Sequence, residues 1–319
     1  MMRTWRAARP AALLLTLFSA AFVACDRSRS ASPDDSTATS TGTTTGTDRD
    51  VAIANSGWDP SAGGLLVLPT VDGGMVAGSL LRPEATELTV ADTAGIGAVM
   101  DDRRIELFAR GGKIGTALLS VEAAPKTEPG CTAWPVARLA IDGGSVATPW
   151  TAAFMAGRVT PVPLDSIEGL AVRDSARLAA DLTRLASGLP DDTSRTFRTL
   201  PYVVLRAWRT SSADSGFVVA TLVRRVNQED APKEERLVIV VNTGSSDAAT
   251  WNVAWHERAA GHEEELVVAE PLLAFRTARS SDLHLLFGRD DGVALGAAVL
   301  TRKAGTWRVL WESAVAGCD

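Results

Sequence analysis

Arg104-Ile-Glu-Leu-Phe-Ala-Arg110, Gly111-Gly112 and Lys113-Ile-Gly-Thr-Ala-Leu-Leu-Ser-Val121 are two half-apolar runs joined by a glycine pair. Ile105 and Leu107 alternate with Glu106, the period of a strand with one face toward a core. Glycine adopts the backbone angles a tight reversal needs, so the stretch predicts a β-hairpin. Runs of the same kind recur at 201–209, 216–226, 235–242, 250–257, 264–269, 282–289, 293–301 and 306–312. The gaps between them are short, which favours antiparallel meanders over parallel crossovers.

One segment breaks the pattern. Residues 166–187 are rich in Ala and Leu, with Leu178, Leu182 and Leu185 on one helical face and Arg177 and Asp181 spaced as an outward i,i+4 pair. Gly188 and Pro190 supply the stop. The expectation is a mainly β fold of antiparallel meanders, sandwich- or barrel-like, with a single helix near 166–187. Pro161 and Pro163 mark a boundary between a first β unit, 51–162, and a helix plus second β unit, 163–319.

Two internal echoes accompany these runs. Leu107-Phe-Ala-Arg110 returns as Leu286-Phe-Gly-Arg289, and Thr250-Trp-Asn-Val-Ala-Trp255 returns as Thr306-Trp-Arg-Val-Leu-Trp311. Two copies are too few for a propeller array and fit at most a duplicated β-meander.

Composition bounds the function. The chain has 319 residues, 46% hydrophobic and 22% charged, which fits a globular protein. Its formal charge of −6 and its lack of a long basic run make it a poor match for a phosphate backbone, so nucleic acid is excluded as a partner.

The amino terminus carries an address. Arg3, Arg6 and Arg9 precede an apolar stretch, 11–24, that is too short to span a bilayer and ends in Phe22-Val23-Ala24-Cys25. This leader resembles the signal peptide and lipobox of bacterial lipoproteins, with Phe22 standing where Leu is usual. The resemblance implies removal of residues 1–24, a diacylglycerol on Cys25, and anchoring of the exported chain in the bacterial cell envelope. The lipid bilayer is then one partner, and an envelope protein or glycan the other. Residues 26–50 include seven Thr, five Ser and five Asp, a composition that cannot build a core and reads as a disordered tether. As a flexible coil it spans on the order of 25–30 Å.

With Cys25 set aside, Cys131 and Cys318 remain. An exported chain meets an oxidising compartment, so the pair is expected to form a disulfide. Two free thiols too far apart to join are the alternative.

Few residues suggest chemistry. Nine Trp stand against one Tyr, and the period of two puts Trp251 with Trp255, and Trp307 with Trp311, each on one sheet face. Exposed, the four indoles would form a stacking platform for sugars; buried, they would fill a core, and the intervening valines favour the core. His256, Glu257, His262 and Glu263 to Glu265 form the one histidine–carboxylate cluster, without zinc-helix spacing and with Ala260-Gly261-His262 read as a turn. His256, His262 and Glu263 are weak metal candidates, and a solvated acidic turn is the plainer reading. Asp290-Asp291-Gly292 reads as a turn, and the runs 228–230 and 233–235 as a charged loop. His284 alternates inside an apolar strand and reads as a structural edge residue. No catalytic elbow, phosphate loop or dinucleotide motif is present, and none calls for a cofactor. These features favour an envelope lipoprotein that binds or scaffolds, with no catalytic residue assigned. A glycan- or peptidoglycan-binding module using the Trp strands, and an envelope hydrolase with acidic catalytic residues, are the alternatives.

Overall fold

The computed structural model describes residues 65–70, 73–79 and 101–318, apart from 123–125, 130, 147, 191–195, 211–215, 227–231, 244–250, 264–265, 279, 291–294 and 314. The expected leader with Cys25, the expected tether, the charged run 228–230 and Asp291-Gly292 of the expected turn therefore lie outside the described residues. Within them the chain is mainly antiparallel β with one α-helix, as the strand periodicity predicts.

The first part is a closed six-stranded barrel, ordered β1-β2-β6-β4-β3-β7. Its strands are β1 (Leu65–Thr70), β2 (Gly73–Ser79), β3 (Arg103–Ala109), β4 (Gly112–Glu122), β6 (Val136–Ile141) and β7 (Ala152–Met155). The predicted hairpin is β3–β4, with Ala109 opposite Gly112. Gly112 has φ +139, a conformation side chains rarely adopt, so this position requires glycine. Ile105, Leu107, Ala117 and Leu119 point inward and fill the barrel.

Two sheets follow, built alike. A short strand, β8 (Val159–Val162) or β9 (Leu164–Ser166), flanks a four-stranded meander in each. The first meander is β10 (Val203–Thr210), β11 (Phe217–Val226), β12 (Lys233–Asn242) and β13 (Asn252–His262), with β9 on β10. The second is β14 (Val268–Thr277), β15 (Ser280–Asp290), β16 (Leu295–Lys303) and β17 (Thr306–Glu312), with β8 on β14. The run expected at 264–269 is displaced: the strand is Val268–Thr277, through Pro271. Proline cannot donate to a ladder, and the register shifts beside Pro271 for that reason.

Burial stacks these parts in layers: helix, first meander, second meander, barrel. The helix α1 (Val172–Ser187) packs Leu178, Leu182 and Ala186 on Leu222, Leu237 and Ile239 of the first meander. Alternate residues of the same strands, Val219, Val238 and Val240, face Leu285, Phe287 and Leu300 of the second meander. The second meander's other face, with Phe275, Leu286 and Val299, packs on Phe108 and Phe154 of the barrel. A sheet buried on both faces takes apolar residues on both, which is why 217–223 of β11 and 237–241 of β12 read as near-continuous hydrophobic runs.

Two details of the helix differ from expectation. It begins at Val172, because Ser166 caps a separate 3-10 turn (Ile167–Gly169) and Leu170 is extended. Asp181 pairs with Arg184 at 3.8 Å in i,i+3 spacing rather than with Arg177.

The charged loop expected at 233–235 is the start of β12, and the reason lies across the hairpin. Glu234 and Glu235 oppose Arg225 and Arg224 in register and are 1% and 0% exposed. Likewise Ala260-Gly261-His262 is no turn; these residues continue β13 and pair with Glu235, Glu234 and Lys233.

His284 is buried in an inner strand, not at an edge, with its ring stacked on Phe275 at 5.2 Å. Among the described residues neither ring nitrogen has a hydrogen-bond partner. Burial lowers its pKa below the ordinary value; Asp282 pulls the other way, and Lys303 and Arg276 add to the depression. The unfolded chain therefore takes up this proton more readily than the folded one, and stability falls as pH drops through the ordinary histidine range near 6.5. Melting temperatures between pH 8 and pH 5 should show a loss on acidification that His284→Leu reduces. An unchanged loss in the variant would mean the histidine is not the source.

Candidate functional site

Where the barrel meets the ends of both meanders there is a cavity of about 410 Å³. Leu68 on the barrel, Leu205 on β10 and Leu272 on β14 give it apolar walls. Its polar lining is dominated by three guanidiniums, Arg110, Arg206 and Arg236, with the carboxylate of Glu270 among them. Volume and lining both suit a small-molecule site.

Each arginine is held differently. Arg110 follows β3 at the hairpin and reaches from the barrel to both meanders. Its Nε donates to the Pro271 carbonyl at 2.7 Å, its terminal nitrogen donates to Glu270 Oε1, and its guanidinium lies 4.9 Å from the centre of the Trp208 ring. Trp208 is itself buried between the sheets. Such cation–π contacts contribute about 0.5–2 kcal/mol and hold the plane of the guanidinium.

Arg236 is fixed from below. Its Nε donates to Glu234 at 2.7 Å, and Arg225 donates to the same carboxylate. Burial pushes the Glu234 pKa up, but the hydrogen bonds from Arg236 and Arg225 outweigh it and hold it below the usual value. Glu234 and Arg236 are two apart on β12 and so share a face.

Arg206 is the loose arm. Its side chain is 64% exposed and meets Glu270 Oε1 at 3.2 Å, the same oxygen that accepts from Arg110. Exposed ion pairs of this kind contribute about 0–1 kcal/mol, so this contact exchanges readily with solvent or a ligand.

The residues singled out in the sequence are placed elsewhere. The four indoles do not share a surface, because each Trp-x-Val-x-Trp run carries a β-bulge. The register slips at Val240/Val241 opposite β13 and at Val299/Leu300 opposite β17, inserting Ala254 and Leu310 as unpaired residues. One extra residue flips every side chain beyond it. Trp251 packs toward the helix and Trp255 between the meanders; Trp307 packs between the meanders and Trp311 toward the barrel. Trp255 lies 5.6 Å from Phe287 and Trp307 lies 5.1 Å from Phe217, so each meander sends an indole onto a phenylalanine of the other. The four indoles form no common surface: Trp307 and Trp311 are buried, and Trp251 and Trp255 are half-buried against the core.

The weak metal candidates are not brought together either. His256 and His262 lie on one strand, six residues apart, which separates them by roughly 20 Å. Glu263 lies 4.0 Å from Arg225. Among the described residues no group of three or more histidines, cysteines, aspartates or glutamates is placed to hold a metal ion.

Nothing in the sequence brings the arginines of the cavity together. Arg110 was visible only as the last residue of the Leu-Phe-Ala-Arg echo, whose counterpart Arg289 joins Glu257 of β13 to Glu312 of β17. Both copies end in an arginine that bridges layers, and that shared ending was the available signal.

Comparison of the chain with protein-family models, with curated proteins and with solved structures gives no match.

Proposed function

We propose that this chain is an exported bacterial lipoprotein, anchored through an acylated Cys25 and set off the bilayer by residues 26–50, that works by binding a ligand in the cavity between barrel and meanders. The cavity is the observation that carries the reading. It joins apolar walls to three guanidiniums, and among its lining residues Glu270 is the one carboxylate. Hydrolysis of a glycosidic bond by acidic residues takes a facing pair of carboxylates, so the lining suits holding an anion better than cleaving a glycan. The leader pattern and the polar composition of 26–50 support the anchor.

A Cys131–Cys318 disulfide belongs to the same proposal. Strands β5 (Cys131–Thr132) and β18 (Gly317–Cys318) pair antiparallel with Cys318 directly opposite Cys131. Opposed residues in such a pair stand about 4.5–5.5 Å apart at Cα, within the roughly 4.4–6.8 Å a disulfide spans. The bond would fasten the end of the chain to the barrel region, and its loss would cost about 2–5 kcal/mol of stability.

The intact mass of protein extracted from its native membrane, with and without reduction before alkylation, tests anchor and bridge together. The expected mass begins at Cys25 and carries acyl chains, with two further thiols alkylated only after reduction. A lipid-free mass beginning upstream or downstream of Cys25 would refute the anchor. Alkylation of two thiols without reductant would refute the bridge.

A further inference from the structure

We infer that the cavity takes a small organic anion, a carboxylate, sulfonate or phosphate on a flat apolar body, whose head displaces Glu270 from Arg206 and docks between Arg206 and Arg110. The inference rests on the binding reading above and adds the class of ligand.

Charge and geometry carry it. Three guanidiniums line the cavity and one carboxylate answers them there; Glu234, the second acid nearby, is 1% exposed beneath Arg236 and already accepts from two arginines. Arg110 is pre-set, with its plane fixed by Trp208 and its Nε by the Pro271 carbonyl. A fixed planar fork recognises a carboxylate, sulfonate or phosphate with little ordering on binding. Glu270 already places a carboxylate oxygen between Arg110 and Arg206, so it occupies the position a ligand head would take. Its side chain is 40% exposed and the Arg206 side chain 64%, so both can swing into solvent without unfolding anything. Leu68, Leu205 and Leu272 wall the space beside this position and would hold an apolar body. Glu270 then acts as an internal competitor, filling the anion position when no ligand is present and rejecting cations and neutral molecules that cannot displace it.

Calorimetric titration of the full mature chain tests this with four probes of one shape: 2-naphthoate, 2-naphthyl phosphate, the neutral naphthalene-2-sulfonamide and 2-naphthylmethylammonium. Both anions are expected to bind at least about tenfold more tightly than the sulfonamide or the ammonium. Whichever anion is tighter assigns the head as carboxylate or phosphate. Arg206→Gln should remove about tenfold of the anion affinity and leave sulfonamide binding as it was, while Glu270→Gln should tighten both anions by roughly threefold to tenfold. Circular dichroism confirms that each variant, changed at an exposed side chain, is folded. Equal binding of anions and sulfonamide would overturn the anion assignment and leave a neutral-ligand cavity. Anion binding that Glu270→Gln weakens would overturn the competitor role. Absence of binding by all four folded-protein titrations at about 1 mM would overturn the binding reading itself.

Discussion

Glu235→Gln should lower the free energy of unfolding by about 3–5 kcal/mol. Glu235 is fully buried on the helix side of β12 and accepts from Arg224 through Nε at 3.0 Å and Nη2 at 3.2 Å. Tyr202 donates to the same carboxylate, and Arg258 Nε lies 3.6 Å away. Arg224 also stacks over Tyr202 at 4.6 Å and is 5% exposed. Removing the negative charge takes from the buried Arg224 guanidinium both of its hydrogen bonds to the Glu235 carboxylate, and breaking one half of a desolvated pair is worse than having no ion pair at all. Burial first, then the hydrogen bond to Glu235, pushes the Tyr202 hydroxyl up to about 12, so it stays a donor across the working range of pH. The double replacement Arg224→Met with Glu235→Leu should recover part of the loss, because the buried Arg224 charge leaves with its partner while Tyr202 and Arg258 still lose the Glu235 carboxylate. Urea unfolding of the two singles and the double gives the coupling directly. A loss under about 1 kcal/mol for Glu235→Gln would show that water reaches Arg224.

Phe154→Ala should cost a comparable amount, about 3–5 kcal/mol. Phe154 is fully buried on β7 and joins the barrel to the second meander, 5.9 Å from Phe108 and 5.2 Å from Phe275. Truncation removes the contacts of a whole ring at a boundary between rigid layers, where the neighbouring strands are held by their ladders and cannot close the void. Phe154→Leu keeps most of the volume and should lose less than half as much in the same denaturant series. Equal losses for the two variants would point to ring-specific contacts rather than volume. A loss of under about 1 kcal/mol for Phe154→Ala would mean that the barrel does not lean on the second meander through this ring.

How much of this the sequence discloses depends on whether the signal is local. The hairpin at Gly111-Gly112, the apolar stretches of β11 and β12 and the apolar face of α1 are set by period and turn chemistry, so they can be read directly. The duplicated meander was visible in the two Trp-x-Val-x-Trp runs, but the facing of the indoles was not. A bulge at Ala254 and another at Leu310 reverse the alternation, and nothing in the residues themselves marks the extra position. The buried charges are hidden from the sequence for a different reason. Glu234 and Glu235 look solvated until the hairpin sets them against Arg225 and Arg224, a mirrored pairing about the turn that could have been found by matching charges across it. The cavity was the least legible part. Arg110, Arg206, Arg236 and Glu270 come from four separate strands or their ends and meet only because barrel and meanders converge. Missing catalytic motifs turned the reading toward binding, but the place of binding required the fold.

Whether the protein binds its ligand in this junction cavity is decided by a crystal structure of the mature chain soaked with 2-naphthoate. The carboxylate is expected between Arg110 and Arg206, with the naphthalene ring against Leu272 and Glu270 turned out toward solvent. A naphthoate found elsewhere on the surface, with Glu270 still joined to both arginines, would contradict it.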